Sequence, residues 1–320
     1  MKIYESVTNR ILAQLDAGVV PWHKTWKTGL PKSLSSGKEY RGINLLVLAG
    51  SEHSSRYWAT YRGALQLGGH VRKGEQATPV VYWKWRSQEE LERIHKKTGK
   101  TNLAPCVPFT SAVFNLDQLE GVQRPEDDVA ANRERRLALA EGVLQVMPDK
   151  PRIMHALNAD PAYSPALDQI QLPHLSQFKS ADEYYATLYH ELTHSTGASH
   201  RLNRFQDAQL DQPEKYSFEE LVAEFGAAFL CGFAGLENKS RQELQASYIE
   251  SWSRAFREDQ HLLVRAASAA QRAVDYVRGK QVQREDIAVE ERPVASVVAL
   301  GSRPSVSPER PAARLKVRVG

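Results

Sequence analysis

The chain has 320 residues, 42% of them hydrophobic and 25% charged, and a formal net charge of +4. That length suits two cores better than one, and the composition is globular rather than disordered or fibrous. No run of about 18 apolar residues occurs, which excludes a helical membrane span. The acid-bearing N-terminus "MKIYESVTNRILAQLDAGVV" lacks the apolar core and cleavage site of a secretory signal, so a cytoplasmic protein is expected.

In chain order, "YESVTNRILAQLD" (4–16) sets Val7, Ile11, Leu12 and Leu15 at helical spacing, and Gly18 and Pro21 end that helix. "YRGINLLVLAG" is a second, short apolar segment. "HVRKGEQATPVVYWKWRS" reads as two strands around a Lys73-Gly74 turn, "EELERIHKKTGKTN" as a charged hairpin tip, and "PFTSAVFNLDQLEG" as a returning strand. The polar stretch "VQRPEDDVAAN" marks a boundary near residues 121–130. A helix is expected over about 133–146. The alternation of Ile170 and Leu172 with polar residues suggests an edge strand, and Ser180 and Glu183 form a capping box that opens the next helix. Further helices are expected over about 217–232 and within 240–279. From about residue 293 the Pro/Ser/Arg-rich sequence predicts a disordered tail. Cys106 and Cys231 lie far apart with no C-x-x-C partner, which predicts two reduced, buried thiols.

Charge is unevenly spread. Residues 1–120 hold 17 Lys and Arg against 10 Asp and Glu, whereas residues 121–280 hold 18 against 23. A basic first third before an acidic middle suggests two domains with different partners.

The helix opened by Ser180 carries "YHELTHSTGASH", in which His190, Glu191 and His194 fit H-E-x-x-H. Residues four apart share a helix face, so the two imidazoles can grip one Zn²⁺ while Glu191 stands beside a metal-bound water as its base. The longer reading H-E-x-x-H-x-x-G-x-x-H would make His200 the third ligand, but that pattern also needs a downstream methionine, and Met1, Met147 and Met154 all precede it. "SFEELVAEFGAAFL" offers Glu219, Glu220 and Glu224 on an otherwise apolar helix, where a buried carboxylate needs a partner. Glu220 and Glu224 lie one turn apart, which lets one bind metal while the other holds a ligating histidine. Glu220 is the favoured third ligand, with Glu224 and His200 as alternatives.

Five of the six tryptophans fall within the first 85 residues, interleaved with basic side chains in "PWHKTWK", "YRG", "RYWATYR" and "VYWKWR". Rings of this kind stack on unpaired bases while Lys and Arg follow the phosphates. The candidate DNA contacts are Trp22, Lys24, Trp26, Arg41, Asn44, Trp58, Lys73, Trp83 and Lys84.

Taken in order, "YESVTNRILAQLDAGVVPWHKTW", "YRGINLLVL", "YWATYRGALQLGGHVRKGEQATPVVYWKW", "VFNLDQLEG", "YYATLYHELTHSTGASHRLNR" and "SFEELVAEFGAAFLCGFAGL" resemble the ArdC-type antirestriction proteins of conjugative plasmids, from residue 4 to about 280. The resemblance implies an α+β protein. A mixed α/β single-stranded-DNA-binding domain (1–122) would precede a mostly helical zincin-like metallopeptidase domain with a small sheet (130–282), with the tail (293–320) outside. It also implies a role in shielding incoming plasmid DNA from restriction during conjugation. The cofactor would be Zn²⁺ or another divalent metal such as Mn²⁺, and the partners single-stranded DNA and a protein substrate such as a restriction-modification subunit. In that family the position of His200 is more often serine, and Glu220 and Glu224 look like the E-x-x-x-acid helix of glutamate zincins. Two other functions fit the same features: a non-catalytic single-stranded-DNA-binding protein with a structural zinc, and an accessory module for plasmid replication or priming.

Overall fold

The computed structural model describes residues 2–23, 29–104, 106–125, 132–205, 213–238 and 246–280. The expected tail, 293–320, lies outside them. Helix α1 (Lys2–Asp16) buries Val7, Ile11, Leu12 and Leu15, the four residues at helical spacing. The short apolar segment forms α2 (Ile43–Ala49), buried at every position. Around them runs a four-stranded sheet of β1 (Lys32–Ser33), β2 (Tyr57–Thr60), β4 (Thr78–Trp85) and β5 (Cys106–Asn115), in the order β1-β2-β5-β4. Only the β1–β2 pairing is parallel. A second, two-stranded ribbon pairs β3 (His70–Val71) with β6 (Leu119–Glu120), and α3 (Tyr61–Gln66) connects β2 to β3.

Three local expectations change here. The strands flanking Lys73-Gly74 do not pair with each other: β3 joins β6 and β4 joins β5, so the turn carries the chain between sheets. The charged excursion is a helix, α4 (Gln88–Thr98), and not a hairpin tip. Ser87 accepts the Glu90 N–H at its start, and Gly99 stops it at a φ of 68°, two helix-end signals that the charge pattern masked. The Ile170 strand is central rather than an edge. In the three-stranded sheet of β7 (Arg152–His155), β8 (Ala162–Ser164) and β9 (Gln169–Leu172), β9 lies between a parallel β7 and an antiparallel β8. One of its faces still packs inward, which accounts for the alternation.

After α5 (Arg133–Val146) and this sheet come α6 (Ala181–Ser195), α7 (Pro213–Ala234), α8 (Ala246–Glu258) and α9 (Leu262–Val277). Ser180 caps α6 by accepting the Glu183 N–H, but the Glu183 carboxylate turns to the Lys179 N–H at 2.6 Å, so half of the expected capping box forms. Neither cysteine is in a disulfide, and both are buried. No helix among the described residues is long and apolar enough to cross a membrane.

The basic and acidic parts of the chain share one hydrophobic cluster, running from Val7 to Val277. The Trp22 ring packs edge-on against Phe225 of α7, with centroids 4.9 Å apart, and against Trp252 of α8, 5.5 Å apart. Polar contacts cross the same seam. Asn238 donates to the Trp22 carbonyl at 2.9 Å, Gln271 accepts the Gly42 N–H at 2.8 Å, and Arg41 pairs with Asp275. The alanines of α9 (Ala266, Ala267, Ala269, Ala270 and Ala273) are all buried, and small side chains let its neighbours approach closely.

Candidate metal centre

Helices α6 and α7 are pressed together where Gly226 meets Thr193. A Cβ at Gly226 would overlap the Thr193 side chain, so only glycine permits this approach. The contact brings the start of α7 against the H-E-x-x-H face of α6. There the Nε2 atoms of His190 and His194 stand 3.1 Å apart, and Glu220 reaches both, at 3.6 Å from His190 and 3.5 Å from His194. Two nitrogens bound tetrahedrally to one zinc ion would be separated by about 3.3 Å. One donor atom from each of the three residues lies within 4.8 Å of the others, and this trio is the only such group among the described residues.

The outward-turned nitrogens also have partners. His190 Nδ1 lies 3.6 Å from Glu224 Oε1, and His194 Nδ1 lies 3.4 Å from Glu219 Oε1. A carboxylate behind each imidazole fixes the ring orientation and leaves Nε2 free to ligate. Glu219 is held in turn by Arg204, which donates to both of its oxygens at 2.7 and 3.1 Å and also to Thr196 Oγ1 and the Thr193 carbonyl. Burial would raise the Glu219 carboxyl, but the Arg204 guanidinium and His194 outweigh it and bring it down to about 2. Glu224 has a second neighbour, His23 Nε2 at 3.5 Å, contributed by the N-terminal part of the chain.

The electrostatics call for a cation. Burial lowers the His190 pKa, but the nearby carboxylates of Glu220, Glu224 and Glu191 push it up to about 10. Without another positive charge, these carboxylates therefore draw a proton onto a ring that a metal requires neutral. Glu220 Oε1, meanwhile, is buried with no hydrogen-bond partner. A divalent ion bound by both Nε2 atoms and Glu220 would answer both demands, so the donor set fits such an ion. Glu191 is buried beside the histidines. Burial raises its carboxyl pKa, opposed by the His190 and His194 charges and by the Tyr163 backbone N–H.

His200 is not part of this arrangement. It lies half exposed, 3.5 Å from Asp168, and the reading that made it a third ligand is set aside. Arg201 instead anchors the same turn, donating to both Asp168 oxygens at 2.8 Å and to the Ser195 carbonyl at 3.0 Å. Spacing alone had left Glu219, Arg204 and His23 without roles, because their partners are distant in sequence. The basic "HRLNR" run just after the motif was the available signal for Arg204.

The nine candidate DNA contacts divide. Trp22 and Trp58 are 0% and 1% exposed and belong to the core, so neither ring offers a face to a base. Asn44 is also structural, its amide exchanging two 2.7 Å hydrogen bonds with the Val81 backbone. Trp83 is half-buried against Tyr4, with ring centroids 6.2 Å apart. Arg41 pairs with Asp275, Lys73 is exposed in its turn, and Lys84 is exposed 3.7 Å from Glu90. Lys24 and Trp26 lie outside the described residues.

Comparison with known proteins gives the two parts of the chain separate matches. Residues 1–114 match the N-terminal domain of anti-restriction factor ArdC, and residues 146–269 match a zincin-like metallopeptidase family. Two DNA primases TraC of Escherichia coli are each 35% identical to the chain over 88% of its length, although the chain spans only 28% and 20% of theirs. An uncharacterised protein of Sinorhizobium fredii is 33% identical over 89% of this chain and 95% of its own. Among solved structures, the Mn(II)-bound form of the antirestriction protein ArdC from plasmid R388 superposes with a TM-score of 0.68 at 35% identity, covering 87% of this chain and 97% of that one. Its metal-free form gives the same TM-score at 34% identity, covering 91% and 100%.

Proposed function

This chain belongs to the ArdC antirestriction family, and from that premise we propose that it binds single-stranded DNA and acts there as a zinc-dependent metallopeptidase, shielding incoming plasmid DNA from restriction during conjugation. The observation that carries this reading is the convergence of His190 Nε2, His194 Nε2 and Glu220 beside a buried Glu191. His190, His194 and Glu220 would hold the ion. Two neutral imidazoles and a carboxylate suit Zn²⁺, while Mn²⁺ is the ion named for the R388 relative. When bound, the ion supplies a Lewis acid and lowers the pKa of a water molecule. Glu191 takes the proton from the attacking water and delivers it to the leaving amine nitrogen. Glu224 and Glu219 keep the two imidazoles in the orientation that presents Nε2.

The test is incubation of the protein with restriction-modification subunits, with and without oligonucleotide. Cleavage that requires DNA and is lost in Glu191→Gln, while bound metal is retained, is expected. Equal cleavage by Glu191→Gln would refute the assigned chemistry.

A second reading takes the same buried metal site as a support for the fold, with protection coming from coating DNA. On that reading Glu191→Gln keeps full antirestriction in cells. The TraC matches raise a third, an accessory role in plasmid replication or priming, tested by priming assays with the chain added in trans.

A further inference from the structure

Two tryptophans expected to meet DNA lie in the core, so the aromatic surface for bases has to be sought elsewhere in residues 1–120. Three aromatic side chains there are well exposed among the described residues: Tyr61 at 54%, Phe109 at 46% and Tyr82 at 37%. Tyr82 and Phe109 face each other across the β4–β5 ribbon as registered partners. Their rings are stacked, with centroids 5.7 Å apart and planes 23° from parallel. The Tyr82 side chain comes close enough to the buried Tyr40 to add to the rise of its hydroxyl pKa, of which burial is the larger cause.

Cations lie near the pair in the sequence. Lys84 follows Tyr82 by two residues along β4, on the same face of the ribbon, and is exposed, and Arg86 comes just after the strand. Tyr40 leads directly to Arg41. There Arg41, Arg278 and Lys280 gather around Asp275 and Glu39. Burial and the charges of Arg278 and Arg41 hold the Lys280 ammonium below its ordinary range, as expected where cations crowd.

We propose that the Tyr82–Phe109 pair is a stacking platform for single-stranded DNA, with Lys84, Arg86 and the Arg41–Lys280 cluster supplying the cations that meet the strand's phosphates. The assignment rests on the DNA-binding reading above and deepens it by naming the surface. A flat pair of rings accepts any base, so the platform is sequence-tolerant, and the nearby cations make its affinity dependent on salt. A duplex hides its base faces and gains only the phosphate contacts.

The test is fluorescence anisotropy of labelled oligo-dT on the full chain. Five proteins are compared: wild type, Y82A/F109A, Y82L/F109L, Y61A and K84A. The leucine pair keeps apolar area but removes the flat rings, and thermal melts check that each variant folds. Both double variants should lose about ten- to a hundredfold in affinity, as removal of base stacking predicts, while Tyr61→Ala binds like wild type. Lys84→Ala should flatten the dependence of log affinity on log salt by about 0.7, one single-strand phosphate. A wild type that shows no salt-dependent binding to oligo-dT would overturn the DNA-binding reading and the platform together. A wild type that binds while folded Y82L/F109L binds equally well would overturn the platform alone. Equal affinity for a duplex of the same length would also overturn it.

Discussion

At the candidate metal centre, each histidine has one nitrogen turned inward and the other held by a carboxylate. His194 depends on Glu219, and Glu219 depends on Arg204. Glu219→Gln should therefore lower metal affinity by about 10- to 100-fold with the fold intact, as measured by competition with a chelating dye. Unchanged affinity would mean that something else orients the His194 ring. Arg204→Ala is the harsher change. It leaves a buried carboxylate uncompensated and should cost about 3–5 kcal/mol in denaturant unfolding. Much of this site was legible in the sequence. The i, i+4 histidines pointed to His190 and His194 through helix geometry, and the acids of an apolar helix pointed to Glu220 ahead of Glu224 and His200. Arg204 and Glu219 were not legible, because a pair fifteen residues apart forms only through a turn whose path periodicity does not describe. The tryptophans failed as markers for a related reason. Composition counts rings, and only packing shows that Trp22 and Trp58 are inside while Tyr82 and Phe109 are outside.

Among the elements, the α6–α7 contact sets the site, and it hinges on Gly226. A side chain there must push against Thr193, so Gly226→Ala should destabilise by about 1–3 kcal/mol and weaken metal binding by parting the helices. Thr193→Ala removes the obstructing atoms, and the double variant should recover part of both losses. A double-mutant cycle on unfolding free energy, with metal affinity measured alongside, checks this. Additive losses would show that the two positions do not meet. Several helices were visible in the sequence, α1 from its apolar spacing. The sheets were less so. Whether β3 pairs with β4 or β6, and whether β9 is central, is decided by partners that a single strand's alternation does not name.

For the whole molecule, stability depends on the seam between the basic and acidic parts. Trp22→Ala should cost about 3–5 kcal/mol, and unfolding followed by a probe in each part should remain a single transition. Two separate transitions would mean that the shared cluster does not couple them. The seam should also weaken in acid. Burial raises the Glu39 carboxyl, but Arg278 and then Lys280 and Lys32 outweigh it and hold it below its ordinary range. A carboxyl with a lower pKa folded than unfolded stabilises above the unfolded value of about 4.3 and loses that contribution as pH falls toward the folded value. Glu39→Gln should thus melt below wild type at pH 7, and the gap should close as the buffer is taken below about pH 4. A gap that stays constant with pH would remove Glu39 from the account.

The position of Trp22 bears on how such proteins can be inherited. A side chain that is core to helices more than 200 residues further along the chain cannot be left behind when those helices move to a new context. Recombination that split the chain near residue 125 would deliver two fragments, each with an open apolar wound. On this packing, transfer of the whole stretch is expected to give the folded product. The two TraC primases, many times longer than their shared portion, align with 88% of this chain, the pattern expected if the unit is grafted whole or lost.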